Sequence, residues 1–187
     1  DEQGHSYSEV KDNTEREKGP DFVCSKIARQ IESLDYSVCG GIQNVEGIGI
    51  GVPGPVDTVN GVMIMATNLP GFENYPICEK LSTRFNLPVF IDNDANVAGL
   101  AEALLGAGKG KTTCYYVTIS TGIGGAFIVN GQLVSGGRGH AGEIGNIIVK
   151  NNGYKFGGLN PGAIEGEASG TAITRKGKEL IGEDAVK

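Results

Sequence analysis

The chain has 187 residues, enough to bury a core as one domain or two small ones, and its formal charge of −6 leaves no basic footprint for nucleic acid. Its 31 glycines follow no three-residue period, which excludes collagen and points instead to tight turns and close approach of backbone to a ligand. No apolar run approaches the roughly 18 residues of a membrane span, and Cys24, Cys39, Cys78 and Cys114, scattered without metal-like pairing, suit a reducing cytoplasmic compartment better than a disulfide scaffold.

Asp1 to Asp21 is charged and aperiodic and reads as a loop or the worn edge of a fold. Val23, Ile27 and Ile31, four apart, predict a helix over Phe22 to Leu34 that covers a sheet. In Val45 to Pro55, Ile48, Ile50 and Val52 alternate with glycine, giving a strand with one apolar face and one bare face. Interior glycine weakens a strand, so the bare face should admit a closely packed helix or a ligand. Pro53-Gly54-Pro55 ends the strand, and Asn60-Gly61 predicts a hairpin. The loop Ala66 to Gly71 carries Asn68, a residue suited to turn duty and, second to that, to a polar ligand. Pro76 to Phe85 is a short helix with Ile77, Leu81 and Phe85 on one face.

The organising stretch is Pro88 to Asn96. Val89, Phe90 and Ile91 form a buried strand, and Asp92, Asn93, Asp94 and Asn96 crowd between it and a helix over Val97 to Leu105. Polar groups where a parallel strand meets a helix line the usual binding crevice of an open α/β sheet. Asp94 reads equally well as a helix cap and as a base taking a proton from a substrate hydroxyl. Asp92 reads as a structural carboxylate or a participant in a metal's sphere.

Gly106 to Lys111 lacks the full phosphate-loop spacing and reads as a glycine-terminated helix end. Tyr115 to Ile119 is a strand, and Ser120 to Gly125 turns out of it into Ala126 to Val129. Successive N–H groups in such a turn, with the Thr121 hydroxyl, would cradle an anion, while a plain glycine hairpin is the equal alternative. Asn130-Gly131 closes a hairpin onto Gln132 to Val134. Within Gly136 to Gly145, Glu143 stands in a nearly side-chain-free backbone suited to gripping sugar hydroxyls, and His140 takes a hydrogen-bonding or exposed role. Asn160-Pro161-Gly162 turns into a helix from Ala163 with Glu165 in its first turn, placed for dipole compensation or a ligand contact. Thr174 to Lys187 is a charged end without an evident partner.

Taken together, GIGIGVPGPVD (47–57), IDNDAN (91–96), Glu102, STGIGG with IVNG (120–131) and AGEIG (141–145) resemble, in order, the sugar-kinase branch of the ROK (repressor, open reading frame, kinase) family over most of residues 45–170. The resemblance implies an α/β, actin-like ATPase (ribonuclease-H-like) architecture, a partial two-domain sugar kinase. Residues 1–110 would be the remainder of the small N-terminal domain and 111–187 the beginning of the large C-terminal one. It implies Asp94 as the base for a hexose, glucose at its 6-hydroxyl. Asn68, Asn93, Glu143, Asn146 and Glu165 become substrate contacts, and Thr121, Gly122, Gly124 and Gly125 approach the phosphates of ATP, with Mg²⁺. The whole protein would be a cytoplasmic homodimer without nucleic-acid or membrane partners. Fructose or N-acylhexosamine kinases and non-catalytic, sugar-sensing repressors are the alternatives.

Two departures from the family pattern qualify these roles. Asn146 takes the place of a family zinc-binding histidine, and Phe156, Gly158 and Ala163 take those of three cysteines, so no structural zinc is expected and the sugar pocket must be braced by packing. No DxGGTxx phosphate loop precedes Asp1, and family kinases run well past Lys187, so this chain is expected to be the middle of a kinase and inactive by itself.

Overall fold

The computed structural model describes residues 1, 3–65, 69–137 and 139–182, so Asn68 lies outside the described residues. The chain divides into two units, Asp1–Asp94 and Ala95–Lys187.

In the first unit, the N-terminal loop leads into α1 (Pro20–Ser33). The helix starts two residues earlier than the apolar spacing predicts, because proline is already shaped for a first helical turn and Gly19, at φ 87°, turns the chain into it. Val23, Cys24 and Ala28 are buried, and Ile27 packs against the same core. Strand β1 (Ile48–Val52) is followed by the hairpin β2 (Val56–Asp57) and β3 (Val62–Met63). The Asp57 carboxylate holds the hairpin turn, accepting from the Val59 and Asn60 N–H groups at 3.1 and 2.9 Å. Next comes α2 (Ile77–Phe85), which stops where Asn86 adopts φ 54° and Pro88 follows. Ile77 and Leu81 are buried with Phe72 and Met63, and Phe85 packs on that cluster.

Strand β4 (Val89–Asn93) returns parallel to β1, in register from Ile48↔Val89 to Val52↔Asn93. It runs two residues further than the apolar run alone indicates and takes in Asp92 and Asn93. The glycine face of β1 is open: nothing lies within 4 Å of a Cβ built at Gly49. An apolar groove of about 470 Å³ runs there, lined in part by Ile27, Ile31 and Leu34.

Helix α3 (Asp94–Leu104) follows β4 without a loop, its first residue ending the first unit. The second unit holds an antiparallel sheet in the order β5 (Thr113–Ile119), β6 (Ile123–Val129), β7 (Gln132–Leu133). Asn130 and Gly131, at φ 51° and 74°, make the two-residue hairpin between β6 and β7. Gly99 of α3 admits the sheet closely: a Cβ there would stand 2.6 Å from Ala126 Cβ and 2.9 Å from Tyr116 Cβ. Ala103, Ala126 and Ile128 form the core beside it.

Two expectations change in this unit. The turn after β5 is only Ser120 to Gly122, since Ile119 pairs with Ile123 and places Gly124 and Gly125 inside β6. The charged end is helical as far as Ile181: α4 (Ile164–Ala168) breaks at Ser169, and α5 (Gly170–Ile181) follows, capped by the Ser169 hydroxyl accepting from Ala172 N–H at 3.2 Å. The molecule is therefore a mixed α/β fold with a parallel pair in its first unit. Among the described residues no helix is long and apolar enough to cross a membrane.

Candidate functional site

The carboxyl ends of β1 and β4 lie level, and the chain leaves them through Pro53-Gly54-Pro55 on one side and, on the other, passes from Asn93 directly into Asp94. Such an edge of a parallel pair is where α/β proteins gather ligands. Asn93 is half-buried, and its Nδ2 donates to the Gly54 carbonyl at 3.2 Å, tying the two exits together. Asp92 accepts from the Asn93 N–H at 2.7 Å, a backbone-supporting role. Asp94 is exposed and opens α3, where a negative side chain complements the helix dipole. Both readings of Asp94 need this position: it stands at a helix start, at the carboxyl end of the parallel pair, in contact with solvent.

The second unit carries the glycine turn. Ser120 N–H donates to Gly122 O at 2.9 Å, Gly170 N–H donates to Ser120 O at 2.8 Å, and the Thr171 hydroxyl donates to Thr121 O at 2.7 Å. The carbonyls of the turn are thus engaged, whereas the N–H groups of Thr121 and Gly122 donate to nothing among the described residues. The next N–H, of Ile123, donates to Glu165 Oε2 at 2.7 Å. Two adjacent unspent donors and the Thr121 hydroxyl fit a phosphate oxygen. Gly122 lets the turn lie against Glu165: a Cβ there would stand 2.5 Å from Oε2 and the carboxylate would have to shift. Gly124 and Gly125 serve packing in this arrangement: a Cβ on Gly125 would approach Tyr116 O to 2.9 Å, and one on Gly124 would touch Ala95 and Thr118 at 3.2 Å.

Beside the turn lies a groove of about 800 Å³ lined by Ser120, Thr121 and, from α5, Gly170, Thr171, Thr174, Arg175, Lys178 and Glu179. The sequence alone left Thr174, Arg175, Lys178 and Glu179 in a charged end from Thr174 and assigned no site role to Gly170 or Thr171. The serine before Gly170, with helix formers after it, was the available signal. Arg175 lies 3.7 Å from the centre of the Tyr154 ring and donates to Glu179 at 2.9 Å and Gly166 O at 3.1 Å.

The AGEIG segment lies along β6. A Cβ on Gly142 would meet Gly125 O at 2.4 Å, and one on Gly145 would meet Ile123 O at 2.4 Å, so both glycines let backbone touch backbone. Between them Glu143 is exposed, and its N–H donates to His140 O at 3.2 Å; His140 is exposed as well. Asn146 accepts from the Asn160 N–H at 3.0 Å. An amide, a phenyl ring, a bare glycine and a methyl group at 146, 156, 158 and 163 offer no zinc donor set. Among the described residues no three His, Cys, Asp or Glu side chains cluster to hold a metal. The loop is held by other means: Ile148 bridges to the buried Ala163, and Glu167 accepts from Tyr154 N–H at 2.7 Å and Lys176 Nζ at 3.0 Å. The Tyr154 N–H first, then the Lys176 ammonium, hold the Glu167 carboxyl below its ordinary value.

The model of the ROK family matches residues 1–185. A glucokinase from Thermotoga maritima is 35% identical over 174 residues, covering 93% of this chain and 53% of its own. The xylose repressor of Caldicellulosiruptor bescii is 30% identical over 175 residues, covering 94% and 43%. Among solved structures, a ROK family glucokinase from Streptomyces griseus, in complex with glucose and AMPPNP, aligns with a TM-score of 0.78 at 31% identity, covering 99% of this chain and 58% of that one. The chain spans about half the length of the curated glucokinases it matches.

Proposed function

This chain belongs to the ROK family, and on that premise we propose that the whole protein transfers the γ-phosphoryl group of ATP to a hexose, glucose at its 6-hydroxyl. The observation that carries the reading is Asp94, exposed at the carboxyl end of the parallel pair β1–β4. The resemblance to glucokinases, one of them in complex with glucose and AMPPNP, supports both substrates. In this reading the architecture is actin-like, with residues 1–110 in a small domain and 111–187 in a large one, and the whole protein is a cytoplasmic dimer.

Asp94 accepts the hydroxyl proton as the oxygen attacks phosphorus, and Asn93, beside it, holds a neighbouring sugar hydroxyl. Glu143, Glu165 and Asn68 supply further sugar contacts. Asn146 has its Oδ1 engaged by Asn160, so its Nδ2 is the group left to donate to a sugar oxygen. The Thr121 and Gly122 N–H groups, with the Thr121 hydroxyl, receive phosphate oxygens, and Gly124 and Gly125 allow β6 to lie close enough to support that turn. Mg²⁺ bound with the nucleotide would neutralise charge on the phosphoryl oxygens.

The similarity to a xylose repressor supports one rival, a sugar sensor without catalysis. A coupled ADP-release assay of the whole protein against glucose, fructose and N-acylhexosamines separates the two. Turnover with glucose, lost by about 10²–10⁴-fold in Asp94→Asn while glucose still binds, is the expected result. Sugar binding without turnover on any of these hexoses would favour the sensor, and an Asp94→Asn protein of normal turnover would remove Asp94 from the mechanism.

A further inference from the structure

The three consecutive N–H groups at the tip of the β5–β6 hairpin are not equivalent. Those of Thr121 and Gly122 are unspent among the described residues, while that of Ile123 ends on Glu165 Oε2 at 2.7 Å. Inside the turn the closing bond is Ser120 N–H to Gly122 O. The remaining restraints come from one short segment: Glu165 on Ile123 N–H, Gly170 on Ser120 O and Thr171 on Thr121 O. That segment is itself anchored, since Ile164 N–H donates to Ile147 O at 2.9 Å and Ser169 is fully buried. A Cβ on Gly122 would stand 2.5 Å from Glu165 Oε2, so the turn lies against the carboxylate as closely as it does because it carries no side chain there.

We propose that Glu165 is a positioning residue for the nucleotide, its carboxylate fixing the Ser120–Gly122 turn so that the Thr121 and Gly122 N–H groups face a phosphate. This rests on the reading of that turn as the phosphate site and adds to the sugar contact assigned to Glu165. The role needs an acceptor at this point, not a charge; a phosphate beside the turn would in fact be repelled by the charge. Glu165→Gln therefore keeps the turn in place for the nucleotide and Glu165→Ala does not.

The test is calorimetric titration of the whole protein with AMPPNP in the absence of sugar, with amide hydrogen exchange read at Ile123. The expected result is a Kd within threefold of wild type, or tighter, for Glu165→Gln and at least tenfold weaker for Glu165→Ala. Faster exchange at Ile123 should appear in the alanine variant alone, which separates loosening of the turn from global unfolding when other core amides are unchanged. Wild-type AMPPNP affinity in Glu165→Ala, or equal weakening in both variants, would overturn the inference and leave the kinase reading standing. A wild-type protein that takes up no AMPPNP would overturn both.

Discussion

Gly145→Ala is the sharpest test of how the AGEIG segment supports the site. A methyl group there would stand 2.4 Å from the Ile123 carbonyl oxygen and 3.4 Å from Glu165 Oε2. Restoring ordinary contact with the carbonyl needs a movement of about 1 Å. The obstacle is backbone, and Ile123 is held by its pairing with Ile119 and by the bond from its N–H to Glu165, so it cannot swing aside as a side chain would. Overpacking of this kind costs about 1–3 kcal/mol, and the stiffer unfolded chain of an alanine variant returns about 0.4–1 kcal/mol. The net destabilisation is then centred near about 1.3 kcal/mol and at most about 2.6 kcal/mol, a central fall in Tm of roughly 5–10 °C for a unit of this size. Thermal unfolding followed by circular dichroism measures it. Gly158→Ala is the matched control, because nothing lies within 4 Å of its Cβ position and its φ is ordinary, so its Tm should stay or rise slightly. In the whole protein, a shift of about 1 Å behind the turn should also lower turnover by up to about 10²-fold. A Gly145→Ala protein as stable and active as the Gly158→Ala control would refute the argument that this glycine exists for backbone contact.

Asn146→Ala removes the acceptor for Asn160 N–H; urea denaturation should show a loss of about 0.5–1.5 kcal/mol, largely recovered in Asn146→Asp, and equal losses in both would point to another role for the amide. Glu167 bears on pH. Its folded pKa lies below the ordinary 4.5, so its contribution is present above that value and drains away as pH falls through the folded pKa. The Tm gap between wild type and Glu167→Gln should therefore be widest near neutrality and close in acid, and a gap that widened in acid would contradict the assignment.

Local chemistry was legible where a short stretch carries its own cause. Asn130-Gly131 made its hairpin because both residues accept positive φ, α2 formed where Ile77 and Leu81 share a face, and the alternation at Ile48, Ile50 and Val52 gave the strand its single apolar side. The Asp92 to Asp94 cluster was legible too, since a polar run after an apolar one marks the exit of a buried strand. What escaped was decided by residues far apart in the chain. Ser120 to Gly125 looks like one continuous cradle, yet pairing of Ile119 with Ile123 makes strand of its second half, and contacts with Tyr116 and Gly142 give Gly125 its task. Glu165 reads as a helix-start acid or a ligand contact until folding brings it to an amide 42 residues away. Residue order determines which groups can turn, cap or alternate; only tertiary structure decides which N–H groups are spent on the protein and which are left for a ligand, because a hydrogen bond depends on who arrives within 3 Å.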